Sequence, residues 1–136
     1  MYLKQLSVFL ENSKGKLRDV TKIIAENGLN IFAFGIADTE NFGIIRMIVE
    51  DPDTAKRVLS DKGITSMLND VIGVRMSHTP GEFYKLLEIL DSADVSIEYS
   101  YAYMASGAND DAIIVIKTSD DEKTARILKD SGVKLY

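Results

Sequence analysis

The chain has 136 residues, of which 46% are hydrophobic and 27% charged, a composition typical of a soluble globular protein. Its net charge is −5, and lysine and arginine are scattered among the acidic residues, which argues against nucleic-acid binding because that function depends on a basic face. The chain has no cysteine and a single histidine, which excludes disulfides, cysteine nucleophiles and His-rich metal clusters.

The first half of the chain alternates strand and helix patterns. Leu6, Val8 and Leu10 recur at the period of two that is typical of a strand with one core face. Asn27-Gly28 is a helix stop, and Asp51-Pro52 is a helix start. The predicted elements are a strand at 5–10, a helix from 17 to 24, a hairpin of strands at 29–37 and 43–49, a helix from 51 to 63, and a strand at 64–68.

The second half repeats this order. Sliding the chain by 66 positions aligns Leu6 with Ile72 and Gly15 with Gly81, and farther along the offset becomes 69. The three extra residues fall in 106–111, which indicates a longer hairpin loop. The predicted elements are a strand at 71–77, a helix at 81–93, strands at 95–104 and 112–117, a helix at 121–131 and a strand at 133–136.

The order βαββαβ, found twice, predicts the α+β class with two ferredoxin-like modules in tandem, at 1–69 and 70–136. Each antiparallel sheet should carry its helices on one face only. We expect the two modules to lie side by side as one eight-stranded sheet.

The sheet face away from the helices, called the outer face below, should be apolar in the first copy. If Ile31 and Ala33 point toward the helices, then Ile36 points outward. Six further residues should also point outward, and we predict that they form an interface because large exposed apolar patches usually mark one. A register error of one residue would exchange the two faces. The outer face of the second copy should be more polar, with Arg75, Ser77, Ser96, Glu98 and Ser100. The six predicted interface residues are Phe9, Phe32, Phe34, Ile44, Arg46 and Ile48.

Both strand-to-helix turns place a glycine, Gly15 or Gly81, at the start of a helix. First-turn N–H groups lack helical partners and carry the positive end of the helix dipole, so an amino-acid carboxylate suits that place. The alternative is an ordinary turn in which Asn12, Ser13 or Thr79 caps the helix. Physical chemistry alone leaves both interpretations open.

These turns resemble those of the ACT domain, a small-molecule-sensing module of amino-acid metabolism, whose pattern is Asp-x-Pro-Gly-x-Leu, then a helix, then Asn-Ile. The first copy reads Asn12-Ser13-Lys14-Gly15-Lys16-Leu17, later followed by Asn30-Ile31. The second reads His78-Thr79-Pro80-Gly81-Glu82-Phe83, later followed by Ser96-Ile97. The resemblance covers essentially the whole chain, and it is greatest to stand-alone tandem ACT proteins without an attached enzyme.

Four positions depart from the family pattern. Lys14 replaces proline, Phe83 replaces leucine, Ser96 replaces asparagine, and His78 replaces an acidic or amide residue. The resemblance implies that all sixteen motif residues quoted above are candidate ligand-binding residues. It also implies that the ligand lies between the turn of one module and the second strand of its neighbour. There the Asn30 amide oxygen would accept from the ligand's ammonium.

We therefore expect a regulatory sensor that binds a free amino acid and is not an enzyme. No paired-carboxylate, triad or phosphate-loop arrangement stands out, and we expect no cofactor and no metal. The expected partners are a second copy in a homodimer and an enzyme of amino-acid metabolism, with neither nucleic acid nor a membrane. The cytoplasm is the expected location, since the chain has no signal-peptide pattern and no membrane-length apolar run. The alternative is an interaction subunit that acts on an enzyme through its apolar sheet face without a ligand.

Overall fold

The computed structural model describes residues 2–11, 13–38, 41–103 and 111–136. Within these residues the chain forms seven strands and four helices, which confirms the α+β class and the doubled βαββαβ order. The elements are β1 (Tyr2–Glu11), α1 (Lys16–Glu26), β2 (Ile31–Asp38), β3 (Phe42–Val49), α2 (Pro52–Asp61), β4 (Ser66–Ser77), α3 (Glu82–Ser92), β5 (Ile97–Ala102), β6 (Asp111–Thr118), α4 (Asp121–Asp130) and β7 (Lys134–Leu135). The longer hairpin loop predicted at 106–111 lies, except for Asp111, outside the described residues.

One continuous strand, β4, replaces the two strands predicted at 64–68 and 71–77. The polar pair Asn69-Asp70 between them does not break the strand, because both side chains have partners on β1. Asn69 Oδ1 accepts hydrogen bonds from Gln5 Nε2 at 3.3 Å and from Ser7 Oγ at 3.1 Å. The Asp70 carboxylate pairs with Lys4 Nζ at 2.9 Å. The prediction of eight strands is therefore wrong by one.

Residues Lys4–Asp70 form one compact unit. Its strands lie in the order β2-β3-β1, followed by the first part of β4, and β3 is antiparallel to both β1 and β2. The helix-side residues of β1 and β3 pack with one stripe each of α1 and α2, because the apolar positions recur at the period of each element. The buried core consists of Leu6, Val8, Val20, Ile24, Ile45, Met47, Val49, Ala55 and Leu59.

The second compact unit comprises Met1–Leu3 and Val71–Tyr136. Its strands lie in the order β5-β6-β4, and β7 also pairs with β4, all antiparallel. Most of its core residues occupy positions equivalent to core residues of the first copy, for example Ile72 for Leu6 and Leu128 for Leu59. The core consists of Ile72, Val74, Leu86, Leu90, Val95, Ile116, Ala125 and Leu128.

A β-bulge near the start of β2 reverses the faces predicted for that strand. The register shifts between Ile31 and Ala33, after which Ala33 pairs with Ile48 on the outer face, and Phe34 pairs with Met47 on the helix side. Directly opposed residues share a face, and one extra residue exchanges the faces of everything that follows it. The outward prediction for Phe34 and Ile36 and the inward prediction for Ala33 are therefore wrong. Phe34 and Ile36 are nevertheless exposed.

The second copy has the same bulge at the equivalent place, between Ile97 and Tyr99. Beyond it, Ser100 pairs with Ile116 on the helix side, and Tyr101 pairs with Val115 on the outer face. The outward prediction for Ser100 is therefore wrong, and the outer face of this copy is more apolar than predicted.

The outer face of the first copy also differs from the prediction at β1. Gln5 and Ser7 are buried there, and Gln5 Nε2 donates to Ser7 Oγ at 3.0 Å. Together with Asn69 they form a hydrogen-bonded polar cluster, as buried polar groups require. Phe9, Ile44 and Arg46 lie on the outer face as predicted, since Phe9 pairs with Ile44, and Arg46 pairs with Ser7. Ile48 is buried, and Phe32 is half-buried at the bulge.

Gly73 on β4 is required by close packing. A Cβ atom at this position would lie 2.8 Å from Leu3 Cδ1 and 3.2 Å from Tyr136 Cβ. Replacing Gly73 with alanine should lower the free energy of unfolding by about 1–2 kcal/mol, because overpacking outweighs the entropic gain from losing a glycine. Gly43→Ala is the matched control, since among the described atoms its Cβ would meet only the Ala37 carbonyl oxygen, at 3.9 Å. Urea denaturation of both variants checks the prediction, and equal stabilities would contradict it.

Candidate functional site

The two predicted turns have nearly identical geometry. The residues before α1 and α3 are Gly15, with φ 88°, and Gly81, with φ 89°, both in the left-handed conformation that favours glycine. Within the described residues, no side chain caps either helix. Of the residues that the structure describes, none has an atom within 4 Å of a Cβ placed on either glycine, which leaves space beside both corners.

The other two helices begin differently. Asp51 accepts a hydrogen bond from the Thr54 N–H at 3.1 Å at the start of α2, and Asp120 accepts one from the Lys123 N–H at 3.0 Å at the start of α4. The bonds from the Thr54 amide and hydroxyl lower the pKa of Asp51. Aspartates thus cap α2 and α4, whereas none of the described side chains does so at the two glycine corners.

The amides at the Gly15 corner remain available to an outside acceptor. The Lys16 N–H makes only a long bond, 3.4 Å, to the Ser13 carbonyl, and the first intrahelical bond of α1 runs from the Asp19 N–H to the Gly15 carbonyl. The N–H groups of Leu17 and Arg18 therefore have no intrahelical acceptor. Such a helix start attracts anions through its N–H groups and its dipole.

The predicted ligand-binding residues of the first copy fall into two groups. Asn12 lies outside the described residues, and the other corner residues are exposed, namely Ser13, Lys14, Gly15, Lys16 and Leu17. Asn30 is exposed, and its backbone is fixed by Glu50, whose carboxylate accepts from the Asn30 N–H at 3.1 Å. Ile31 packs against the core.

The second copy has the same arrangement. Its corner residues His78, Thr79, Pro80, Gly81 and Phe83 are exposed, and Glu82 is half-buried. The Ser96 backbone is fixed by Ser119, which is equivalent to Glu50, since the Ser96 N–H donates to Ser119 Oγ at 3.3 Å. Ile97 packs against the core of this unit.

Within one module, the corner and the following strand are not brought together. Gly15 precedes α1 and Asn30 follows it, so they are separated by an 11-residue helix that is about 16 Å long. A single amino acid therefore cannot touch both in the same module. A ligand held by both groups needs a neighbouring module to supply the strand.

The tyrosines of β5 are half-buried. Tyr103 contacts Tyr136 edge-to-face, with ring centroids 5.5 Å apart. Burial is the main cause that raises the pKa of the Tyr103 hydroxyl to about 12, and the nearby Tyr136 hydroxyl is the second cause. Arg75 lies over the Tyr136 ring, 5.3 Å from its centroid. These contacts are typical of side-chain packing.

Each unit has a cleft that the sequence did not indicate. The first cleft lies between the end of β1, the helix α1 and the turn after α2. The second lies between the end of β4, the helix α3 and the turn after α4. The first cleft is about 630 Å³ and includes Glu11, Lys62 and Thr65 among its lining residues. The second is about 380 Å³ and includes Ser77 and Lys134. Only the repeat offsets could have indicated them, since the equivalent residues of each copy line both clefts.

In the parts of the chain that the structure describes, no group of three or more His, Cys, Asp or Glu side chains is arranged to hold a metal ion. The helices among the described residues are all too short or too polar to cross a membrane.

Solved structures similar to this chain match nearly all or all of its length. Protein BT0572 from Bacteroides thetaiotaomicron is 39% identical, with a TM-score of 0.90, and the match covers 100% of this chain and 92% of that one. The ligand-free regulatory subunit of aspartate kinase from Thermus thermophilus is 15% identical, with a TM-score of 0.61 over 93% of this chain and 90% of that one. The corresponding subunit from Thermus flavus is 16% identical, with a TM-score of 0.59 over the same shares. The two Thermus structures support the fold alone.

No curated protein is significantly similar to this chain in sequence. The family model of the ACT domain pair, however, matches residues 1–135. ACT domains are typical of regulatory, amino-acid-sensing proteins and are generally non-catalytic. This match and the paired glycine corners agree with the resemblance seen in the sequence, and the chain belongs to the ACT domain pair family.

Proposed function

We propose that the protein is a regulatory sensor that binds a free amino acid where a glycine corner meets the second strand of a neighbouring ACT module. The observation that carries the proposal is that no side chain among the residues the structure describes caps α1 or α3, whereas aspartates cap α2 and α4. An amino-acid carboxylate would accept from the first-turn N–H groups, here those of Leu17 and Arg18.

The ammonium group of the ligand needs an acceptor from the neighbouring module. The side-chain oxygen of Asn30 is suited to this, since its backbone is already held by Glu50. Because Asn30 lies at the opposite end of α1 from Gly15, we propose that a second copy of the chain supplies it in a homodimer. The two aspartate kinase regulatory subunits with a similar fold make an enzyme of amino-acid metabolism the class of partner we propose.

Calorimetric titration of the full chain with free amino acids tests the corner. Gly15→Val should abolish or weaken binding at the first copy at least tenfold, because the new side chain projects into the open space where the ligand would lie. Valine at a positive φ is strained, and we expect a stability loss of about 1–2 kcal/mol. Gly81→Val tests the second corner in the same way.

Gly132→Val is the matched control for Gly15→Val, since Gly132 has a φ of 78° and no described atom within 4 Å of its Cβ position, and it belongs to the other compact unit. It should carry the same strain and keep its affinity. Wild-type affinity in both Gly15→Val and Gly81→Val would show that neither corner binds the ligand.

The alternative, an interaction subunit without a ligand, is favoured by exposed aromatic side chains on the outer face of the first copy. Phe9 is 39% exposed and Phe42 is 60% exposed. Large exposed apolar side chains in one area commonly mark an interface. The absence of binding by any amino acid would favour this alternative.

A further inference from the structure

The cleft of the first copy has an apolar floor, a charged rim and aromatic ends. Leu10, Ile23 and Ile64 form the floor and pack against the core beneath it. Phe9 and Phe42 stand at the end of the sheet. The charged side chains on its rim are Glu11, Lys16, Asp19 and Lys62.

These rim charges are not used by the protein itself. Among the described residues, Glu11, Lys16 and Lys62 make no ion pair and no side-chain hydrogen bond. Asp19 is in loose contact with Arg18, at 3.7 Å. A cleft of about 630 Å³ thus offers two ammonium groups and a carboxylate without partners beside apolar and aromatic surface. Its size falls within the range of about 300–1,000 Å³ that is usual for small-ligand pockets.

Most charged side chains that line the equivalent cleft of the second copy pair with one another. Lys85 pairs with Glu82 at 2.8 Å, and Arg75 lies 3.7 Å from Asp111. The charge is reversed at two equivalent positions: Lys16 of the first copy corresponds to Glu82, and Asp19 corresponds to Lys85. Asp111 also replaces the aromatic Phe42. In this smaller cleft, about 380 Å³, four of the charged lining side chains pair with one another, whereas Glu11, Lys16 and Lys62 of the first cleft do not.

We infer that the cleft of the first copy is a second ligand site, which binds a zwitterionic amino acid with a large apolar or aromatic side chain. Lys62 and Lys16 would hold the carboxylate, Glu11 would accept from the ammonium, and Phe9 and Phe42 would contact the side chain. All of these residues belong to the compact unit Lys4–Asp70, so this site needs no neighbouring module.

L-phenylalanine is the probe, and calorimetric titration of the full chain is the measurement. Phenethylamine, which lacks the carboxylate, and 3-phenylpropionate, which lacks the ammonium, should each bind at least about tenfold more weakly. Lys62→Ala and Glu11→Gln should each weaken L-phenylalanine binding by about the same factor. Both residues are exposed, so circular dichroism and the unfolding midpoint should stay unchanged.

Lys134→Ala is the matched control, because it removes a lysine from the rim of the second cleft. It should leave the affinity for L-phenylalanine unaltered. The inference is overturned if L-phenylalanine does not bind, or if it binds the Lys62→Ala and Glu11→Gln chains as tightly as the wild type.

This outcome is distinguishable from a failure of the corner site. Binding of L-phenylalanine that is lost in Gly15→Val or Gly81→Val but kept in Lys62→Ala would support the corner sensor and overturn the cleft. Binding of L-phenylalanine that is lost in Lys62→Ala but kept in both glycine variants would support the cleft and show that the corners do not bind this amino acid.

Discussion

Leu59→Ala should lower the free energy of unfolding by about 2–5 kcal/mol, the usual range for deleting a large buried aliphatic side chain. Leu59 on α2 has no exposed surface and packs in the core of the first unit with Leu6, Ile24 and Met47. Truncation removes apolar contacts and leaves a cavity that the two strands and two helices around it can fill only in part. A loss of this size is a large share of the about 5–15 kcal/mol that holds a typical domain folded.

The repeat supplies an internal comparison for this prediction. Leu128 on α4 is equivalent to Leu59 and is also completely buried. Leu128→Ala should therefore cost about the same, whereas Ser60→Ala, at an exposed position of α2, should change stability by less than about 0.5 kcal/mol. Urea denaturation measures all three variants. A loss below about 1 kcal/mol for Leu59→Ala would contradict the core described for the first unit.

The helices and the module order could be predicted from the sequence because local signals specify them. The apolar stripe of α1 ends at Asn27-Gly28, and Asp51-Pro52 begins α2, so both helices begin and end within a few residues of their predicted positions. Agreement between the two copies added evidence that neither copy has alone.

The faces of the hairpin strands could not be predicted, because a bulge has no reliable sequence signal. The shift between Ile31 and Ala33 exchanges the faces of Phe34 and Ile36, and alternation alone cannot detect an extra residue. The continuity of β4 through Asn69-Asp70 depends on partners more than sixty residues away in the sequence. These tertiary hydrogen bonds overrode two residues that usually end strands.

The candidate site was predictable only in part for the same reason. The corner motifs are contiguous in the sequence, so the Gly15 and Gly81 turns were found directly. The cleft lined by Glu11, Lys16 and Lys62 joins three separate segments that only the fold brings together. A structure was likewise needed to show that Ser13 does not cap α1 and that Thr79 does not cap α3, since the sequence made both possible caps.

Stabilisation by a free amino acid is the second large effect that we expect. A ligand that binds only the folded chain adds about 2.7 kcal/mol of stability at a hundred times its dissociation constant. For a protein of this size, that corresponds to a rise of roughly 8–15 °C in the unfolding midpoint. The D-enantiomer of the same amino acid is the control, because a site that fixes both the carboxylate and the ammonium should discriminate between enantiomers.

Thermal denaturation of the full chain with each free amino acid in turn therefore tests the sensor function most directly. We predict that at least one L-amino acid raises the midpoint by this amount and that the rise shrinks in the Gly15→Val, Gly81→Val double variant. If no free amino acid raises the midpoint, even at millimolar concentration, the chain is not an amino-acid sensor, and its uncapped helix corners have no ligand of this class.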